Sequence, residues 1–299
     1  MRREPGRGSE TDRGGTGAEA PGATCGSCPH RCRLREGQTG RCRARSCRGG
    51  EVRSDSYGRL TSIALDPIEK KPIALWRPGS RVLSVGSYGC SMDCPFCQNA
   101  AIARAGADDV EWRAVTPEEL VDAAGRLRET DESVIGIAYT YNEPLTFWEY
   151  VRDCSRLAHE RGLANVLVSN GMSTPEVLSE LEGLIDAANI DLKAFDEEGY
   201  RRLGGDLASV RSTIETIAAW PGCHLEVTTL VVPGISDSAR SVDEAAAWLA
   251  GLPGDIAYHL TRFFPCHRMA DASPTPVETI RGLAEVARRR LPHVLVGNC

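Results

Sequence analysis

The chain has 299 residues, 41% hydrophobic and 25% charged, with a formal net charge of −6. That length suits one large α/β domain with a small appendage, and it buries about three quarters of the unfolded surface, enough to fold without disulfide staples. No run of about 18 apolar residues is present to cross a membrane, the opening residues lack the apolar core of a signal peptide, and a net acidic chain is a poor general binder of nucleic acid.

Residues 1–22 are rich in Gly, Arg and Glu with almost no large apolar side chain, and are expected to be a disordered tail. Residues 23–75 are expected to form a cysteine-rich head with a hairpin and a linker, and residues 76–299 the core. The first 60 residues carry 13 Lys+Arg against 7 Asp+Glu, a net of +6, leaving 22 against 34, a net of −12, for the rest. This basic head reads as a solvated face, since no aromatic residues interleave its arginines. Val52–Ser56, a Tyr57-Gly58 turn and Leu60–Leu65 read as a hairpin. Asp66-Pro-Ile-Glu-Lys-Lys-Pro72 reads as a proline-bounded linker.

Strand and helix signals then alternate. Residues 81–88 are a β-rich run. Thr116-Pro-Glu-Glu119 is a capping box that opens a helix to about Arg128. Residues 134–141 read as a buried strand, 145–161 as a helix, 165–169 as a strand followed by a helix from Thr174-Pro175, and 188–193 as a strand. Residues 207–220 read as a helix, 225–232 as a strand, 241–252 as a helix, 257–263 as a strand, 276–290 as the last helix and 293–296 as a seventh strand. Such alternation implies parallel strands with right-handed crossovers, in an open doubly wound sheet or a full or partial (β/α) barrel. In barrels the chemistry sits at the carboxyl ends of the strands.

Those ends carry reactive residues. The chain has 12 cysteines, and eight of them lie in two clusters before residue 98. Clustered cysteines without a secretory signal point to a cytoplasmic protein that binds metal rather than one held by disulfides. Cys90, Cys94 and Cys97, spaced C-x3-C-x2-C after the first strand, can converge on one centre. Cubane clusters normally take four cysteines, so three leave one iron open for chemistry. The competing reading is a zinc staple with a distant fourth ligand. Glu143, after the second strand, is placed to receive an ammonium group or to serve as a helix N-terminal acid. Ser169 and Asn170 follow the third strand. Asp191 and Lys193, two apart, share one face of the fourth strand and either bind a ligand or form a structural pair. His267 stands on the same rim after the sixth. In the head, Cys25, Cys28, Cys32 and Cys42 are candidates for a structural zinc site, a second iron–sulfur cluster or reduced surface thiols.

The motif Cys90-x3-Cys94-x-Phe96-Cys97 resembles the signature of the radical S-adenosylmethionine (SAM) superfamily. Within it, the chain is similar to the activating enzymes of glycyl-radical proteins, such as those of pyruvate formate-lyase. Asp66-Pro-Ile-Glu-Lys-Lys-Pro72, Cys94-Pro-Phe-Cys-Gln-Asn99, Cys28-Pro-His-Arg-Cys32 and Gly40-Arg-Cys42 resemble the radical SAM member of the AmmeMemoRadiSam system. The resemblance implies a partial (β/α)6 barrel of the TIM type with a small cysteine-rich extension. It implies a [4Fe-4S] cluster on Cys90, Cys94 and Cys97, with SAM chelating the fourth iron. It further implies that the Phe96 backbone faces the adenine, that Asn142 and Glu143 stand at a Gly-Gly-Glu motif with Glu143 on the methionyl ammonium, that Ser169 and Asn170 lie near the ribose, and that Asp191, Lys193 and His267 orient SAM. The implied reaction is reductive cleavage of SAM to methionine and a 5′-deoxyadenosyl radical that abstracts hydrogen from a protein or small molecule. A flavodoxin or ferredoxin would supply the electron. Installation of a glycyl radical on a partner enzyme, a non-catalytic electron-transfer protein and a zinc interaction module are the other readings.

Overall fold

In the computed structural model, which describes residues 22–299, the cysteine-rich segment forms two small antiparallel pairs. They are β1 (Ala23–Thr24) with β2 (Arg33–Leu34), and β3 (Arg45–Arg48) with β4 (Glu51–Ser54). The expected tail falls outside the described residues apart from Gly22. The hairpin expected over residues 52–65 does not form. The turn lies earlier, at Gly49-Gly50, with φ of 63° and 76°. Two successive positive φ values twist a two-residue turn to match its strands, and a Gly-Gly pair supplies them without strain. Beyond it, β5 (Arg59–Leu60) and β6 (Ser62–Pro67) part company. β6 runs antiparallel to β7 (Arg81–Gly86) and becomes an edge of the main sheet.

After the short α1 (Ala100–Ala103), β8 (Arg113–Ala114) pairs with β5. α2 (Pro117–Thr130) starts at the expected capping box, in which Thr116 accepts from the Glu119 amide and Glu119 accepts from the Thr116 amide. The chain then alternates β9 (Val134–Tyr139), α3 (Trp148–Glu160), β10 (Ala164–Ser169), α4 (Pro175–Leu181) and β11 (Ala187–Asp191). Next come α5 (Glu197–Arg202), α6 (Leu207–Ala218), β12 (His224–Val231), α7 (Ala239–Leu249), β13 (Ala257–Arg262), α8 (Val277–Arg288) and β14 (Val294–Gly297).

The sheet order is β14-β13-β12-β11-β10-β9-β7-β6, parallel throughout except for β6. The order follows the sequence without reversal, so the doubly wound alternative falls and the sheet curls one way with its helices outside. β6 and β14 are not hydrogen-bonded to each other, so the barrel is partial. Six parallel strands from β7 to β13 make the expected set, and β14 adds the seventh.

Alternation along each strand divides the core in two. Outward residues such as Val85, Ile137, Leu167, Ile190 and Val227 join helix residues such as Leu120, Val151, Leu178 and Ile214 in the large cluster. Val82, Ala138, Val166 and Ala187 instead meet Ile68 and Ile73 in a separate small cluster. The segment read as a linker is therefore the barrel floor. Asn189 Nδ2 donates to Pro72 O at 2.7 Å, and Glu226 accepts from the Ala74 and Leu75 amides at 2.8–3.1 Å. Inward polar side chains of β11 and β12 thus hold the plug, which seals one end of the barrel and leaves the other as a cavity.

Candidate functional site

A cavity of about 700 Å³ opens at the carboxyl ends of the strands. Cys90, Cys94 and Cys97 line it from the loop after β7, with Phe96, Asn142, Glu143, Ser169, Asn170, Asp191 and Lys193 around them. His267 is not among the lining residues. It is exposed, in the short 3-10 turn His267–Met269 with φ of 50°. Its neighbours clamp the cysteine loop instead: Arg268 N donates to Pro95 O at 3.0 Å, and the Cys266 thiol to Phe96 O at 3.1 Å. Cys266 and Phe96 lie 170 positions apart, so no local pattern announces this contact.

Glu143 is 1% exposed. Its Oε1 accepts from the Leu145 amide at 3.0 Å and from Ser169 Oγ at 2.8 Å, and its Oε2 accepts from the Asn170 amide at 2.8 Å. It caps the 3-10 turn Pro144–Phe147 and also faces the cavity, so the two readings of this acid hold together. Burial raises its carboxyl to about 7, against the pull of those three donors. A cation arriving in the cavity would hold the charged form.

Lys193 Nζ donates to Asp191 Oδ2 at 2.8 Å. Burial disfavours the ammonium, but Asp191 and the Cys94 sulfur outweigh it and hold the lysine charged. Burial pushes the Cys94 thiol up to about 11 while Lys193 pulls it down. Burial also raises Cys90, where Glu143 adds to the effect, and Cys97. Thiols so placed need a metal to become thiolates. Two N–H groups already point at Cys90 Sγ, from the Met92 amide and Asn170 Nδ2, both at 3.4 Å. Thr228 Oγ1, in the cavity wall, is buried without a partner and free for a ligand. The residues present therefore fit an iron–sulfur cluster and a polar cofactor beside it.

Asn142 spends its amide on the cysteine loop, accepting from Ser87 N at 2.8 Å and donating to Tyr88 O and Gly89 O at 3.1 and 3.0 Å. Tyr141 adopts φ of 70°, a conformation natural to glycine. Its hydroxyl donates to Asp66 Oδ2 at 2.6 Å, and Lys71 Nζ lies 4.8 Å above its ring. Lys71, 3% exposed, donates to the same Asp66 oxygen at 2.8 Å. This Asp66–Lys71–Tyr141 group at the cavity's edge was missed, because residues 66–72 read as a linker. Asp66 with Lys70 and Lys71 close behind it, the lysines between two prolines, was the available signal.

Cys25, Cys28, Cys32 and Cys42 line a small void of about 20 Å³ behind the cysteine loop, and Glu143 belongs to the walls of both spaces. Cys47 is fully buried in β3 and outside that void. No disulfide forms among the described residues.

Comparison with known proteins agrees with this architecture. Over 278 residues the chain is 34% identical to an uncharacterized protein of Methanocaldococcus jannaschii, covering 92% of this chain and 80% of that one. It is 26% identical over 220 residues to a putative glycyl-radical enzyme activating enzyme of the same organism, covering 70% and 85%. Among solved structures, a radical SAM methyltransferase from Sphaerobacter thermophilus superposes with a TM-score of 0.56 at 20% identity, covering 73% of this chain and 66% of that one, which speaks to the fold alone. The model of the radical SAM superfamily matches residues 84–249. With its three cysteines at the mouth of a partial barrel, the chain belongs to the radical SAM superfamily and is an enzyme.

Proposed function

We propose that Cys90, Cys94 and Cys97 hold a [4Fe-4S] cluster and that SAM binds beside it in the 700 Å³ cavity, to drive hydrogen abstraction from a protein or small-molecule substrate. The observation that carries this reading is the convergence of three thiols, the buried Glu143 and the Asp191–Lys193 pair on one cavity. When bound, the cluster supplies the electron that cleaves SAM to methionine and a 5′-deoxyadenosyl radical. Glu143, fixed by its three donors, accepts the methionyl ammonium. Asp191 and Lys193 orient the cofactor's charged end, with Lys193 also countering the negative thiolates. Ser169 and Asn170 lie near the ribose, the Phe96 backbone faces the adenine, and Asn142 braces the loop that carries all three ligands. The plugged floor keeps water and stray hydrogen donors from the reacting atoms.

Exposed arginines of the head, Arg33, Arg35, Arg41, Arg43 and Arg48 among them, suit an acidic electron donor of the flavodoxin or ferredoxin kind. Among the described residues no helix is long and apolar enough to cross a membrane, and the cysteine usage fits a cytoplasmic enzyme.

A second reading is installation of a glycyl radical on a partner protein. It is favoured by the putative activating enzyme among the relatives, and by the open edge between β6 and β14, where a peptide loop could enter.

Anaerobic reconstitution with iron and sulfide, followed by dithionite and SAM, is expected to yield 5′-deoxyadenosine by chromatography. An intact cluster by EPR that gives no such product would end the proposal.

A further inference from the structure

Four thiols of the head line one small void, and their arrangement is local. Cys25 N donates to Cys32 O at 2.8 Å, Arg31 N to Cys28 O at 3.1 Å, and Arg43 N to Gly40 O at 2.9 Å. These tight turns bring Cys25, Cys28, Cys32 and Cys42 round a void of about 20 Å³. A site for one water needs roughly 10–15 Å³ by the same measure. Four sulfurs at about 2.3 Å from a tetrahedral zinc would leave no such space between them. Among the described residues, no three His, Cys, Asp or Glu side chains converge closely enough for a single ion. The triad Cys90, Cys94 and Cys97 falls outside that single-ion spacing as well.

A second observation comes from Arg45, which is 5% exposed and also lines the void. Its Nη1 and Nη2 are taken by Glu149 at 2.8 and 2.6 Å and by Thr146 O at 3.1 Å. Its Nε is buried with no partner. A buried N–H donor left unpaired is costly. Neutral thiols accept only weakly. Four thiolates round an iron–sulfur core carry the net negative charge and the sulfur acceptors it lacks.

A third observation is position. Cys90 N donates to Cys42 O at 3.1 Å. The contact is intimate enough that a Cβ on Gly89, whose φ is 85°, would run into that same carbonyl. His30 Nε2 bonds Ser91 O at 2.8 Å, adding a second tie between the two loops. A ligand of one thiol set thus touches a ligand of the other through a single peptide hydrogen bond.

We infer that the head binds a [4Fe-4S] cluster through Cys25, Cys28, Cys32 and Cys42, coupled to the barrel's cysteine triad through the Cys42 C=O···H–N Cys90 hydrogen bond. One electron from a reduced flavodoxin- or ferredoxin-type donor reduces the head cluster from 2+ to 1+, and the same electron passes on to the barrel cluster. The donor is oxidised by one electron, and no bond or proton moves. The relay, though not the head site itself, rests on the function proposed above.

The test is iron and sulfide analysis, with Mössbauer and EPR spectra, on protein expressed with iron and purified without oxygen. The wild type is expected to hold about eight irons, with two reduced signals of which SAM perturbs one. Replacing Cys28 and Cys32 by Ala is expected to remove about four irons and leave the SAM-sensitive signal. Replacing Cys90, Cys94 and Cys97 by Ala is expected to leave about four irons in the head and no response to SAM. That variant reads the head alone, so failure of the barrel reading and failure of this one are told apart, and it serves also if the head variant does not fold. Cys47→Ala is expected to keep the full iron count. Zinc in place of the head iron, or no iron in the variant lacking the barrel triad, would overturn the head site. Two reduced clusters without magnetic broadening of each other's signals would overturn the coupling.

Discussion

At the scale of single residues, buried charges carry the clearest consequences. Glu143 is surrounded by three fixed donors, and a neutral amide could not pair with all of them or attract an ammonium. Glu143→Gln is expected to weaken SAM binding to the reconstituted enzyme by about tenfold to a hundredfold in calorimetry, the loss of one charge-assisted hydrogen bond; binding within about twofold of wild type would remove Glu143 from the site. Glu226, on the inner face of β12, titrates in the opposite sense. Burial opposes its charge, but His224, His259 and the Leu75 and Ala74 amides more than compensate and lower its carboxyl from 4.5 to about 2. A depressed carboxyl contributes stability that is fully present above its unfolded value and is lost as pH falls through the folded one. Glu226 should therefore contribute roughly 3 kcal/mol at neutral pH and progressively less between pH 4.5 and 2. In urea titrations Glu226→Gln is expected to be much less stable than wild type at pH 7 and nearer to it at pH 3. An equal gap at both pH values would contradict this assignment.

At the scale of elements, glycines decide where strands meet. Gly136 lies in the middle of β9, where a Cβ would collide with the Ala164 carbonyl and backbone on β10. Strand glycines commonly mark such close backbone approach. Gly136→Ala is expected to part the two strands and cost about 3 kcal/mol or more by urea unfolding, well beyond the usual effect of adding one methyl group; a loss under about 1 kcal/mol would show that the pair can absorb it. Gly49-Gly50 teaches the same lesson about reading a chain. The Tyr57-Gly58 turn signal attracted the hairpin reading, yet the adjacent glycines at positions 49 and 50 are the stronger hairpin signal. The capping box at Thr116 was legible because its donors and acceptors lie within four residues of one another.

At the scale of the whole molecule, the floor segment joins regions far apart in sequence. Ile68 and Ile73 are fully buried against Val82, Ala138, Val166 and Ala187, which belong to four different strands. Ile73→Ala would leave a void that four strands cannot collapse together to fill. A loss of about 3 kcal/mol is expected, seen as a fall in Tm of the apoprotein. An unchanged Tm would mean that the plug packs loosely. The same segment brings Asp66 and Lys71 to Tyr141, so loosening the floor also disturbs one wall of the cavity.

The sequence by itself determined the alternation of strands and helices, the seventh strand and the cysteine triad. Each depends on period, spacing or local capping, which act within a few residues. It also named six polar residues that line the cavity, Asn142, Glu143, Ser169, Asn170, Asp191 and Lys193, because a barrel puts whatever follows each strand on one rim; Thr228, His259 and the polar residues of the floor segment gave no such signal. Tertiary structure alone decided the rest. It made residues 66–76 a floor rather than a linker, since burial of Ile68 and Ile73 depends on strands distant in sequence. It set His267 outside the cavity lining, where the clamp of Cys266 and Arg268 on the cysteine loop directs the chain. It also brought the head thiols against the loop of Cys90, through a hydrogen bond between residues 48 positions apart that no local pattern encodes.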